Sequence, residues 1–157
     1  SRSLRQSMRK GIFTVTTDTA FEETIRRCAD IRRDRAEGTW ITGEMIDAYI
    51  GLHEAGYAHS VESWQDGMLA GGLYGVALGS VFFGESMFSL KADASKVALV
   101  TLVRQLMRWK FTLIDCQVTT GHLIRFGARE IPRKFFTEMV KEALQRPTRR
   151  GKWILDE

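Results

Sequence analysis

Asp115 and Gln117 stand two residues apart in Phe111-Thr112-Leu113-Ile114-Asp115-Cys116-Gln117-Val118, a run otherwise rich in apolar and β-branched side chains. On a strand the side-chain period is two. The carboxylate and the amide then project from one face, and Ile114, Cys116 and Val118 from the other. A carboxylate inside a sheet costs on the order of several kcal/mol unless it is hydrogen-bonded or paired. Loop amides or a buried arginine such as Arg125 or Arg129 would compensate it structurally. The functional alternative is a polar couple at the open mouth of a sheet, where Asp115 orients and polarises Gln117. Glu85 is a second acid in unusual company, inside Phe82-Phe83-Gly84-Glu85-Ser86-Met87-Phe88. Strand spacing puts Phe83, Glu85 and Met87 on one face and Phe82, Gly84, Ser86 and Phe88 on the other. Aromatic residues and methionine around a strand are ordinary core. Yet Gly84 leaves a gap for another backbone or a substrate, and an apolar pocket with a few convergent polar groups is the usual form of a small-ligand site.

Other residue pairs carry less. His59-Ser60, and Cys116 with His122, have the residue types of a nucleophile and a base but no supporting motif. His53 and His59 lack metal-ligand spacing. Gly71-Gly72-Leu73-Tyr74-Gly75 lies within a strand pattern and opens no helix, so close strand packing explains it better than a phosphate cradle.

The elements that must position these groups are legible. A basic helical pattern occupies the first residues. Asp18 is placed to cap a helix with the stripe Phe21, Ile25 and Cys28 or Ala29, and a second helix starts at Thr42 and stops at Gly56. From Ala58 to Phe88 three strands alternate with turn signals, Asp66-Gly67 and Leu78-Gly79-Ser80, which predicts an antiparallel meander. Leu99, Leu102, Val103, Leu106 and Met107 recur at helical spacing over 94–109. A buried strand over 111–118 follows, and Pro132 precedes a last amphipathic helix that Pro147 ends. This order predicts an α/β (α+β) sandwich, a mixed sheet with an antiparallel meander flanked by helices, of the GNAT acyltransferase type.

The chain has 157 residues, 44% of them apolar, with only two prolines and 27% charged, which suits one globular domain and excludes a disordered or collagen-like chain. No apolar run approaches the ~20 residues of a membrane-spanning helix, and no secretory signal is visible. Cys28 and Cys116 have no CxxC spacing and read as thiols of a reducing cytoplasm. The net charge is +4. Arg2, Arg5, Arg9 and Lys10 lie in a lead-in segment over 1–12 and fall at i, i+3, i+7 and i+8, so one helical face could present all four to a phosphate backbone.

Several segments together resemble the leucyl/phenylalanyl-tRNA–protein transferases: Gly38-Thr39-Trp40-Ile41-Thr42, Ala48-Tyr49 with Leu52-His53, Ala58-His59-Ser60-Val61-Glu62, Gly71 to Val76, Phe82 to Ser89, Ala94-Ser95-Lys96, Leu113 to Gln117, and Gly127-Ala128 with Ile131-Pro132-Arg133. The match runs in order over nearly the whole chain. The resemblance implies a GNAT-like catalytic domain over 1–157. This would be an enzyme moving Leu or Phe, and less readily Met, from aminoacyl-tRNA to the α-amine of proteins that begin with Arg or Lys, marking them for degradation. It implies no metal and no diffusible cofactor. It places Asp115, Gln117 and Glu85 at the reaction centre and the aminoacyl side chain among Leu73, Phe82, Met87, Leu102 and Leu106. Trp40 would lie near the terminal adenosine, and Arg2, Arg5, Arg9 and Lys10 would face the acceptor stem. It also implies an upstream domain, which nothing in this chain matches, covering part of the site. Two rival readings share some of these features. Acetyl-CoA-dependent transfer needs a glycine-rich turn where this chain has Ser89 to Lys96 without glycine, and a tRNA-binding module without catalysis needs only the basic segment.

Overall fold

The computed structural model describes residues 1–34 and 41–156. Eleven elements follow one another among them: α1 (Arg2–Arg9), β1 (Thr14–Thr17), α2 (Phe21–Asp34), α3 (Gly43–Glu54), β2 (Ala58–Gln65), β3 (Met68–Leu78), β4 (Val81–Ser89), α4 (Ala94–Arg108), β5 (Leu113–Asp115), α5 (Gly121–Arg125) and α6 (Arg133–Leu144). The strands form one mixed sheet in sequential order, antiparallel from β1 to β4 and parallel between β4 and β5. The expected meander and its flanking helices are therefore present. Two elements were not foreseen. β1 is a run of four β-branched residues, Thr14-Val15-Thr16-Thr17, that pairs along β2. α5 is a single turn-and-a-half capped by the Thr120 hydroxyl, which accepts from the Leu123 N–H at 3.1 Å.

The sheet divides two apolar layers. On one side α2 and α3 bury Phe21, Ile25, Cys28 and Ile46 against Ala58, Tyr74 and Phe88. On the other, α4 lays Leu99, Leu102 and Leu106 on Val61, Leu73, Ala77 and Phe82, and Trp153 closes that layer. The glycines of β3 serve close packing, as their position within a strand suggested. A Cβ on Gly71 would lie 2.7 Å from that of Ala94, and one on Gly72 would lie 2.6 Å from the Val61 carbonyl oxygen.

Asp18 has a different role from the cap expected of it. The main-chain N–H of Ala20 at the start of α2 goes to Glu62 Oε1 at 3.1 Å. Asp18, in left-handed backbone at φ 51°, accepts from His59 Nδ1 at 2.7 Å, the Ser60 N–H at 3.0 Å and the Trp153 N–H at 2.7 Å. Its carboxylate is fully buried and ties β2 to the C-terminal segment. Glu62, also buried, accepts from Thr16 Oγ1 at 2.7 Å and from the Ser60 hydroxyl. Ser60 thus gives its proton to a carboxylate rather than to His59, whose ring stacks on Trp153 at 3.7 Å. The His59-Ser60 pair is core architecture.

Candidate active site at the split between two strands

β4 and β5 run together for only three pairs, Val81 with Leu113, Phe82 with Ile114 and Phe83 with Asp115. β4 continues to Ser89 while β5 stops, so the sheet opens beyond Phe83. The expected strand over 111–118 is shortened to Leu113–Asp115 for a local reason. Asp115 Oδ1 accepts the Gln117 main-chain N–H at 2.8 Å, and Gln117 takes φ 63°. A short acidic side chain that captures the amide two residues on makes a turn, not a ladder. Asp115 and Gln117 are consequently neighbours through this turn rather than through same-face alternation. Asp115 is half-buried and Gln117 exposed, so the burial cost expected of the carboxylate is reduced at the sheet's edge. Among the described residues no ion pair joins Asp115 to Arg125 or Arg129.

Gln117 reaches back across the opening, and its Nε2 donates to the Gly84 carbonyl oxygen at 2.7 Å. Only the NH₂ end of an amide can meet a carbonyl oxygen, which fixes Oε1 as the end left to accept. Gly84 has room around it: a Cβ there would meet nothing nearer than the Asp115 carbonyl oxygen at 3.5 Å.

A bulge corrects the face assignments along β4. Tyr74 pairs with Ser86 and Gly75 with Gly84, so Glu85 has no partner on β3. Phe83 and Glu85 both line the α3 side. Ser86, which contacts Cys28 of α2, lies on that side as well. Met87 then joins Phe82 in the α4 layer, apart from Glu85. This phase change brings Leu73, Phe82, Met87, Leu102 and Leu106 into one cluster. Four of the five are at most 3% exposed and Met87 is partly buried, so the cluster is closed in this structure.

The two sides of the opening differ in charge. Residues paired in a parallel ladder share a face, so Asp115 lies with Phe83 and Glu85 toward α3. The Tyr49 hydroxyl of α3 faces Glu85 across this side, and burial together with the charge of that acid pushes its pKa up to about 12. The sequence gives Tyr49 no catalytic role; it stands in a helical apolar stripe with Met45, Ile46 and Ile50 and in Ala48-Tyr49, one of the segments that resemble the family. Toward α4 and α5 the charges are basic. The His122 pKa is lowered by burial and then by Lys96 and Arg125, so these cations lie near α5. The Cys116 thiol is raised by burial and by the Asp115 charge, the opposite of what a nucleophilic cysteine needs.

α1 docks at the start of α4. Leu4 is buried, and Ser3 and Ser7 donate to the Asp93 carboxylate, the latter at 3.3 Å, while Lys96 pairs with it at 3.5 Å. Arg2, Arg5, Arg9 and Lys10 are exposed. A carboxylate at this helix start disfavours the pyrophosphate that acetyl-CoA would bring there. Trp40 falls outside the described residues. Among those residues, no group of three or more His, Cys, Asp or Glu side chains is placed to hold a metal ion.

The family model for leucyl/phenylalanyl-tRNA protein transferase matches residues 1–141. The chain belongs to the leucyl/phenylalanyl-tRNA–protein transferase family. A leucyl/phenylalanyl-tRNA–protein transferase of Myxococcus xanthus is 57% identical over 152 residues, covering 97% of this chain and 65% of its own. Those of an Anaeromyxobacter species and of Desulforapulum autotrophicum are 58% and 55% identical and cover 99% and 98% of this chain. The chain spans about two thirds of the length of these relatives, 65–67%. Among solved structures, an aminoglycoside acetyltransferase from a soil metagenomic sample, in complex with sisomicin, superposes with a TM-score of 0.57 at 9% identity, over 78% of this chain and 93% of its own. Another acetyltransferase of that kind gives 0.53 at 16% identity, over 76% of this chain and 93% of its own. At such identities the likeness is one of fold, the GNAT-like sheet with its parallel fifth strand.

Proposed function

We propose that this family member is an aminoacyltransferase domain that moves Leu or Phe, and less readily Met, from aminoacyl-tRNA to the α-amine of proteins beginning with Arg or Lys. Arg2, Arg5, Arg9 and Lys10 would meet the acceptor stem, Trp40 the terminal adenosine, and the Leu73–Phe82–Met87–Leu102–Leu106 cluster the aminoacyl side chain. Marking acceptors for degradation in the cytoplasm would be the biological output.

The observation that supports this reading is the held Gln117 amide, whose Nε2 donates to the Gly84 carbonyl and so leaves Oε1 as the accepting end. An ester carbonyl on tRNA is already activated, and an α-amine with a pKa of about 7.7–8.0 is partly neutral near pH 7. Positioning supplies most of what remains. The amine nitrogen attacks the ester carbonyl carbon, a C–N bond forms, the C–O bond to the ribose breaks, and the ribose oxygen leaves with a proton. Gln117 Oε1 accepts a hydrogen bond from the incoming amine and aims its lone pair. An amide cannot take the proton itself, which leaves Asp115, Glu85 or the 2′-hydroxyl of the adenosine as carrier. Glu85 and Asp115 supply negative charge for the acceptor's cationic end.

Transfer of radiolabelled Leu or Phe from charged tRNA to a peptide starting with Arg tests the reading. We expect product with that peptide and far less with one starting with Ala. Binding of charged tRNA without transfer would favour the non-catalytic tRNA-binding module instead.

A further inference from the structure

A cleft of about 420 Å³ runs between α3 and the sheet on the side away from α4, lined by Met45, Tyr49 and Leu52 of the helix and Val76, Phe83 and Glu85 of the strands. That volume lies within the range of roughly 300–1,000 Å³ typical of ligand sites. Its walls are apolar or aromatic except for Glu85, and its mouth is open, since Leu52 is 39% exposed. The cleft adjoins the strand split at Phe83 and Glu85, on the face that Asp115 shares with Phe83.

We infer that this cleft receives the side chain of the acceptor's second residue and selects apolar or aromatic ones; the inference rests on the reading above, that a protein's α-amine is the acceptor. Charge fixes the direction of entry. An amino terminus is the positively charged end of a polypeptide, and the acid of the cleft, Glu85, directly follows Gly84, whose carbonyl holds Gln117. With the amine there, the Cα of the second residue lies about 3.8 Å from that of the first, further along the cleft. The first side chain stays with the acids, and the second meets the floor of Val76 and Phe83. Tyr49 and Glu85, which line the cleft together, mark the boundary between these two zones.

The test measures fluorescence-anisotropy affinities of this chain for labelled Arg-X-Ala-Ala-Ser peptides with X as Gly, Leu, Phe or Asp, beside transfer to the same peptides from charged tRNA. We expect Leu and Phe peptides to bind about tenfold tighter than the Gly peptide, and Leu52→Asp to cut that ratio below about threefold. Leu52 is on the helix surface, and Met45→Lys provides a second variant with the same expected loss of ratio. Equal affinity for Gly, Leu and Phe peptides, or a ratio unchanged in both variants, would overturn the inference. So would a dimer that Leu52→Asp dissolves, since a second copy would then be the occupant. Selective binding without transfer to any peptide would leave the cleft standing and defeat the aminoacyltransferase reading; transfer with flat selectivity would do the reverse.

Discussion

Gln117 donates its main-chain N–H to Asp115 Oδ1 at 2.8 Å, and that bond holds Gln117 in left-handed backbone with its side chain turned back onto the Gly84 carbonyl. One carboxylate therefore sets both the backbone and the reach of the amide. The pair stands where β5 has left β4, so the polar groups need no partner strand.

Glycines separate packing from access. A Cβ on Gly72 would press against the Val61 carbonyl oxygen at 2.6 Å, so Gly72→Ala should cost about 1–3 kcal/mol. Gly84→Ala meets only the Asp115 carbonyl oxygen, at 3.5 Å, and should leave stability within about 0.5 kcal/mol. Thermal unfolding of both variants checks the first half. Transfer kinetics check the second, with a larger KM expected for Gly84→Ala because its methyl enters the opening.

The buried Asp18 gives a stability test away from the site. Asp18→Ala leaves His59, Ser60 and Trp153 without an acceptor and forces a methyl side chain into φ 51°. We expect a loss of about 3–5 kcal/mol and a Tm lower by about 10 °C or more. Asp18→Asn keeps one carbonyl oxygen and tolerates that backbone, so its loss should be smaller. Differential scanning calorimetry of the two variants reads the order.

Much of this arrangement was legible in the residues and some was not. The meander and α4 follow from turn signals and periodicity, whereas Asp115 and Gln117 meet through a turn where alternation along a strand was expected. The bulge at Glu85 does not, because one extra residue leaves no mark on composition yet exchanges the faces of everything after it. Strand alternation thus grouped Met87 with Glu85, whereas Met87 packs with Phe82. The end of β5 was missed for a related reason: Cys116, Gln117 and Val118 look like strand, but the Asp115 side chain outcompetes a ladder. Asp18 resembled a helix cap because caps and buried acceptors use the same short carboxylate. The distant donors His59, Ser60 and Trp153 distinguish them.

The basic face of α1 predicts a salt signature. Arg5→Ala combined with Arg9→Ala removes two exposed charges without touching the bonds from Ser3 and Ser7 to Asp93. tRNA affinity should fall, and the slope of log K against log salt should become shallower by about 0.7–0.9 for each phosphate that is no longer neutralised. Filter binding across a salt series measures it. An unchanged slope would place the acceptor stem elsewhere.

Cys116 flanks the pair without serving it. Burial and the Asp115 charge raise its thiol, so it is protonated at neutral pH and a poor nucleophile. Cys116→Ser should keep transfer within about twofold of the parent rate, since surface-proximal isosteres rarely cost more than about 0.5 kcal/mol. No thioester should be trapped by acid quench during turnover.

Asp115→Asn provides the most direct measurement, because the amide keeps an oxygen to accept the Gln117 N–H and so preserves the turn while removing the charge. Under single-turnover conditions with saturating charged tRNA, peptide-bond formation should slow by about a hundredfold or more, with tRNA affinity and Tm unchanged. A rate equal to that of the parent chain would contradict the account.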